Sequence, residues 1–471
     1  MNDVPGLRWP TLLRLSLFQA CLGTLAVLFT GTFNRILITE LAFPALLAGG
    51  GLGFEQLVSP ARVLFGHLSD SHPLMGKHRT PYVLLGTVAI CLLAILSVPV
   101  TFKVKEALDS GSPLIATAGI AAFCGLFALY GLGTSLASTS YLALVIDRTT
   151  EEQRPRCIGV IWGMLTVGII VGAIAISLAV RSIDGISDPV ILQNWLQKFM
   201  ISITSIVMVL AIISTWGVEK RTAPGYVRSV QDLITLKDAW GVVTSSRQIV
   251  IFFGFLVLFT LGLFLQDPIL ESFGAEVFDM PVSKTTLLNA WWGSGTLVGL
   301  LLAGWFITPK IGKLATARLG CWMVMGSLFL LLVSGWHQAS GLLPVVMVLF
   351  GLAAGVGSNS ALTLMLDLTL PAMAGTFVGI WGLAQALSRG FGKVVGGGLL
   401  DLGRQLLPNA GPMAGYGLVF TIEILVMAGA LIVLNQLSVA QFRETTTQRL
   451  DMVLMAEIDA GIKQRVYTWS E

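Results

Sequence analysis

Charge is scarce in this chain. Lys, Arg, Asp and Glu supply 12% of its 471 residues, the formal net charge is +3, and 55% of the residues are hydrophobic with a mean hydropathy of +0.82. So few ions cannot cover a soluble surface; the net charge of +3 carries no signal for nucleic acid, and none is expected as a partner. The five cysteines (Cys21, Cys91, Cys124, Cys157, Cys321) are dispersed and form no CxxC, which argues against a disulfide framework or a thiolate metal centre. The four histidines (His67, His72, His78, His337) fall at span ends or in loops. A Walker phosphate loop, HExxH, a Ser–His–Asp set and a dinucleotide fingerprint are all missing, so no enzyme is expected. No small-residue cleavage site follows the first apolar run, which therefore reads as a retained span and not as a signal peptide.

What the chain has instead is long apolar runs, each able to cross about 30 Å of hydrocarbon. Only helices or closed barrels satisfy their backbone there, and unbroken runs favour helices. Twelve spans are expected, near 12–33, 43–68, 80–101, 114–146, 156–180, 195–217, 248–268, 284–307, 316–336, 342–368, 376–400 and 414–437. The sequence also repeats. GLGTSLASTSYLALVID (131–147) aligns without a gap on GLAAGVGSNSALTLMLD (351–367), and Ile161-Trp162-Gly163 then returns as Ile380-Trp381-Gly382. Paired serines, a terminal Asp147/Asp367 and the IWG reprise define two homologous halves. Their equivalent residues lie at the same face, so the fold class is all-α: twelve transmembrane helices in two parallel six-helix repeats, the major facilitator architecture. The organisation reads as 1–218, a first bundle; 219–247, a basic, partly amphipathic linker; 248–437, a second bundle; and 438–471, a polar tail with near-helical apolar spacing. The Lys and Arg distribution places both termini in the cytoplasm, and Asp267–Lys284 reads as an acidic loop on the opposite side.

Charged and polar residues inside the spans are the candidate site. Glu55 and Arg62 lie seven residues apart, on one face of a continuous helix but about 10.5 Å apart along it. Gln56 accompanies them. Arg389 and Lys393 form an i,i+4 cationic pair in the eleventh span, preceded by Gln385. Ionised groups at such depth face a bundle interior and mark a pathway, unless they are consumed in a structural pair such as Glu55 with Arg389. Asn34 and Arg35 end the first span, as interface anchors or as ligand donors. Trp162 and Trp381 are repeat-related, serving packing or offering stacking surfaces to a flat ligand. The loop Gly66-His67-Leu68-Ser69-Asp70, continuing through Gly76, Lys77 and Arg79, has the facilitator signature of glycines, an acid and basic residues. With Asp147 and Asp367 it is expected to pack and latch one face, through helix capping or an Asp–Arg pair.

These phrases resemble a family. VLFTGTFNRILITEL (27–41) followed by GHLSDSHPLMGKHRTPYVLLG (66–86), with the IWG spans and a tail reading AQFRE, is similar to the PucC/LhaA group, the bacteriochlorophyll-delivery branch of the major facilitator superfamily. The resemblance implies a photosynthetic (thylakoid or intracytoplasmic) or bacterial inner membrane and a chlorophyll or bacteriochlorophyll cargo. It further implies antenna or photosystem apoproteins, and pigment-synthesis enzymes, as partners in the lipid bilayer. It carries over no binding residue. Oxygen atoms of Glu55, Gln56, Asn34, Asn359 or Gln385 suit the pigment's magnesium. The guanidinium and ammonium groups of Arg35, Arg62, Arg389 and Lys393 suit its carbonyl oxygens. Two alternatives stand: a proton- or ion-coupled transporter of a small solute with Glu55 as the titrating group, and a pigment-free assembly scaffold using the lipid-facing glycine pairs Gly159/Gly163, Gly295/Gly299 and Gly375/Gly379.

Overall fold

Every expected span coincides with helix in a computed structural model of the chain, which describes residues 7–150, 153–186, 188–219, 247–367 and 374–438. The linker beyond Glu219 and the tail beyond Ser438 therefore lie outside the described residues. The helices are α1 (Trp9–Ala26), α2 (Ala45–Leu57), α3 (Ala61–Ser71), α4 (Thr80–Asp109), α5 (Pro113–Arg148), α6 (Arg154–Val180) and α7 (Pro189–Thr215). They continue with α8 (Arg247–Phe264), α9 (Leu270–Phe278), α10 (Val282–Leu302), α11 (Lys313–Trp336), α12 (Leu343–Asp367), α13 (Ala374–Leu406) and α14 (Met413–Leu434). Among the described residues ten helices are long and apolar enough to cross a membrane.

The two expected spans that miss this standard are informative. The second is broken: Pro60 has no N–H to give to Gln56, so α2 closes in three-residue turns at Val58 and Ser59 before α3 starts. The other is α13, which is long enough but carries Arg389, Lys393, Asp401 and Arg404. A third departure is the region expected to be an acidic loop. After Phe264 the chain makes tight turns through Gln266, Asp267 and Pro268, then re-enters helix as α9, whose Glu271, Ser272 and Phe273 are buried. The seventh span is thus a broken helix carrying acids inward, because Pro268 stops α8 while the apolar face of Leu270, Phe273 and Val277 still demands burial. The first span runs on past α1 through two π-helical stretches, Val27–Phe33 and Ile36–Glu40, with Asn34 and Arg35 between them.

Helices α1–α7 and α8–α14 pack mostly within their own sets, through glycine-lined contacts. On α10, added Cβ atoms at Gly295 and Gly299 would strike the backbones of Val348 and Leu352 on α12, and Gly351 answers from α12 against Trp292. Gly295 and Gly299 are therefore buried in a helix–helix contact and do not form a lipid-facing surface. Two seams join the sets: α2 on α13, and α6 on α10.

Candidate site between the helix sets

Both seams are closed at the far face, opposite the starts of α1 and α8. Asp401 of α13 accepts hydrogen bonds from Ala45 N (3.0 Å) and Leu46 N (2.7 Å), capping α2 from the other set. Asp184, after α6, accepts from the amide (3.1 Å) and the hydroxyl of Ser283 on α10, while the Ser177 hydroxyl donates to Ser283 O at 2.6 Å. Between the seams, the π-helical end of the first span is bound to α10 and the α8–α9 region. Arg35, 5% exposed, donates to Thr285 Oγ1 (2.6 Å) and Met280 O (3.0 Å) and pairs with Glu40 at 3.3 Å. Asn34 donates to Pro268 O, and Thr32 bonds Thr286 at 3.0 Å. Beneath them the buried Glu271 carboxylate accepts from Asn289 Nδ2 at 2.6 Å, with Thr285 and Thr286 at 3.4 and 3.3 Å. Asn34 and Arg35 are thus members of this seal, and both, with Thr32, link one set to the other.

Towards the terminal face the seams part. Ile170 of α6 packs on Gly293 of α10. Gly163 and Gly159 continue the same stripe, seven and eleven residues earlier and so nearly on one line. Among the described residues a Cβ added at either would meet nothing within 4 Å beyond its own helix turn. On α13, Lys393 and Gly390 pack against Gly53, Gln56 and Leu57 of α2, whereas Gly382, eleven residues before Lys393, has open space. The sets thus meet toward the far face and part toward the terminal face, which defines a wedge between them. Trp162, 45% exposed, stands on the parted stretch of α6. Trp381, Gln385 and Arg389 climb α13 at i,i+4 spacing; the Trp381 indole N–H has no partner.

At the apex of this wedge the charges gather. Lys393, 5% exposed, points to Asp267 at the α8 break, Nζ to Oδ2 3.9 Å. The Arg389 guanidinium lies 4.4 Å from the centroid of the Phe264 ring, a cation–π placement, and its Nε makes no hydrogen bond. Glu55 interacts electrostatically with Lys393 and Arg62, and the Arg62 Nε is also unpartnered. Residues chosen from sequence on two helices are therefore brought together, but the pairing differs from the expected Glu55–Arg389 bridge: Arg389 answers to Asp267, and Glu55 to Lys393 and Arg62. The expected straight i,i+7 relation of Glu55 and Arg62 fails because the helix breaks between them. Two acids and three bases leave a net positive charge at the apex, suited to carbonyl or carboxylate oxygen.

Sequence reasoning missed Asp267, Glu271 and Glu423. The signals were present: Asp267 beside Pro268 marks a break, and Glu423 is a lone acid in an apolar run. Asn359 lies beside Gly304 on the α10–α12 side, its Oδ1 unpartnered.

The loop signature forms a separate latch at the terminal face. Arg79, 4% exposed, bonds Asp147 Oδ2 through Nε at 3.0 Å and Ser69 Oγ at 2.5 Å, tying the α3–α4 loop to the end of α5. Gly76 (φ +73°) and Met75 (φ +54°) make the tight turn that pairs Leu74 with Lys77. Gly66 faces Thr139 Cγ2 at 3.6 Å, ordinary contact that a Cβ would tolerate, so it is not there for close approach. The side chains of Asp70 and Asp367 lie outside the described residues. Glu219, the first linker residue, accepts from the amides of His78, Arg79 and Thr80 (2.7, 2.9 and 2.6 Å), capping α4 in a way the sequence did not announce.

Comparison with known proteins completes the picture. Residues 32–442 match the family described as PUCC protein. "Protein PucC" of Rhodovulum sulfidophilum is 31% identical over 417 residues, covering 85% of this chain and 86% of its own. The "Bacteriochlorophyll synthase 44.5 kDa chain" of Rhodobacter capsulatus is 30% identical over 427 residues, covering 89% and 93%. Among solved structures, a point mutant of the nucleoside transporter NupG superposes with a TM-score of 0.68 at 13% identity over 91% of this chain and 99% of that one, a likeness of fold. A transporter-type helical membrane fold matched along most of its length to one sequence family leaves a plain assignment: the chain belongs to the PucC family.

Proposed function

We propose that this protein binds a chlorophyll-type pigment in the wedge and hands it to antenna or photosystem apoproteins in a photosynthetic membrane, both termini facing the cytoplasm. The observation that carries the reading is the placement of Trp162 and Trp381 on the parted stretches of α6 and α13, below the cluster of Glu55, Arg62, Arg389 and Lys393. A tetrapyrrole is flat, apolar over its faces and fringed with carbonyl oxygens, which matches those two features. Its hydrocarbon tail favours lipid by about 0.8 kcal/mol per buried CH₂, so transfer within the bilayer avoids an aqueous step. In this reading Gln385, between Trp381 and Arg389 in the sequence, offers an oxygen to the central magnesium. The relatives' names, PucC and a bacteriochlorophyll synthase chain, point to the same chemistry. In this reading the protein performs no bond-making step; it shields and delivers.

The test is the absorption spectrum of gently purified protein. A pigment band at about one per chain, lost in Arg389→Ala with Lys393→Ala while the protein still folds, is the expected result. A colourless preparation that still binds antenna polypeptides would replace delivery with scaffolding. Solute uptake driven by a pH gradient and abolished in Glu55→Gln would replace it with coupled transport.

A further inference from the structure

The α6–α10 seam carries no ion in its walls. From Cys157 to Val180 on α6, and from Thr285 to Pro309 on α10, the sequence has no Lys, Arg, Asp, Glu or His. Two contacts fix its closed part: Ser177 donates to Ser283 O, and Ile169 and Ile170 pack on Gly293. They set an antiparallel register that brings Gly159 opposite residues 301–304 of α10, just before the exposed Trp305 and Phe306. Around α6, three directions can be told apart from the 3.6-residue turn. Val171, Ile174 and Leu178 are exposed on one side of the Ile170 line, and they mark the surface turned to lipid. Trp162 lies on the other side of that line, toward the wedge. Gly163 and Gly159 continue the line itself, between the two. In the closed part of the seam α10 occupies that direction; at Gly159 and Gly163 an added Cβ would meet nothing beyond its own helix turn. The partition between wedge and bilayer is therefore missing there.

We propose that the parted stretch of the α6–α10 seam is a side opening through which the hydrocarbon tail of the bound cargo runs into the bilayer while its ring stays in the wedge. This rests on the pigment reading above and adds a place for the part of the pigment that the charged apex cannot hold. A tail kept inside the wedge would meet water entering from the terminal face, and each CH₂ would lose its preference for hydrocarbon. A tail laid through the α2–α13 seam would pass Arg389 and Lys393 and strip water from them. The α6–α10 walls impose neither cost. They carry no ion, and their helical backbone is satisfied from within, so they tolerate a hydrocarbon chain as lipid does. Gly159 and Gly163 are then specificity-determining residues: the room beside them is what a long chain needs and a short ester does not use.

The test compares one ring with two tails. Chlorophyll a, a phytyl ester, and methyl chlorophyllide a, the same ring as a methyl ester, are titrated by absorption into the full chain in lipid nanodiscs. Gly163→Phe fills the opening, and it should weaken the phytyl ester by about tenfold, the change produced by forcing two methylenes out of hydrocarbon. The methyl ester should bind as before. Should Gly163→Phe fail to accumulate, Gly159→Leu must give the same selective loss. Equal weakening of both esters, or of neither, overturns the side opening and leaves the pigment reading standing. A selective loss of the phytyl ester in Gly382→Phe, on the open stretch of α13, and not in Gly163→Phe moves the tail to the other seam and overturns the proposal as well. A wild type that binds neither ester overturns both.

Discussion

The α2–α13 and α6–α10 seams are the same device written twice, and their chemistry differs. Aligning Ile161-Trp162-Gly163 with Ile380-Trp381-Gly382 places Ile170 opposite Arg389 and Ile174 opposite Lys393. In one seam an isoleucine packs on Gly293; in the other a guanidinium and an ammonium meet Phe264 and Asp267. Both seams close at the far face with an aspartate accepting from main-chain amides at the start of the partner helix, Asp184 at Ser283 and Asp401 at Ala45 and Leu46. The backbone geometry is thus duplicated, while the ions are confined to one copy. One seam is apolar, and the other carries the charged cluster.

The comparison can be broken most forcefully by moving charge to the wrong copy. Ile170→Arg sets a cation where no acid answers it, and should destabilise the fold by on the order of 3 kcal/mol, read as a loss of melting temperature in detergent. The next largest effect is expected from filling the close approach in the charged seam. Gly397 lies against the Ala45 carbonyl, so Gly397→Leu must push α2 away, at about 1–3 kcal/mol. Distances between spin labels on the two sets at the far face should lengthen; unchanged distances would mean the seam is not what closes that face. Arg389→Ile makes the charged seam resemble its partner. Stability should change by less than about 1 kcal/mol, because an apolar replacement of a buried ion is often neutral, yet bound pigment should be lost. Retention of pigment would show that the charge asymmetry does not select cargo. The smallest effect belongs to the seal between the seams: Thr286→Val removes its bond to Thr32 and should cost about 1 kcal/mol, seen as a slight fall in melting temperature.

Much of this was legible in the residues. Hydropathy and the repeat placed the ten helices that are long and apolar enough to cross a membrane, and the rarity of ions in apolar runs singled out Glu55, Arg62, Arg389 and Lys393, which lie together where α2 and α3 meet α13. Their partners were not legible. Asp267 looked like the start of a loop because Gln266-Asp267-Pro268 ends the apolar run; only the burial of α9 shows the chain turning inward. Arg35 has the sequence of an interfacial anchor, and its bonds to Thr285 and Met280, some 250 positions away, turn it into a seal. The loop signature announced a latch, yet its arginine closes on Asp147, from the repeated stretch, with Glu219 capping the helix beside it.

By itself the sequence determined which long stretches are membrane helix and the twofold plan, though not the breaks within them. A segment in hydrocarbon must satisfy its backbone from within, which makes span formation a local matter written in composition. Which ions meet, which face is sealed and where space is left between the sets were decided by tertiary structure. Those outcomes depend on a few ångströms of approach between residues hundreds of positions apart, set by glycines whose neighbours the sequence does not name.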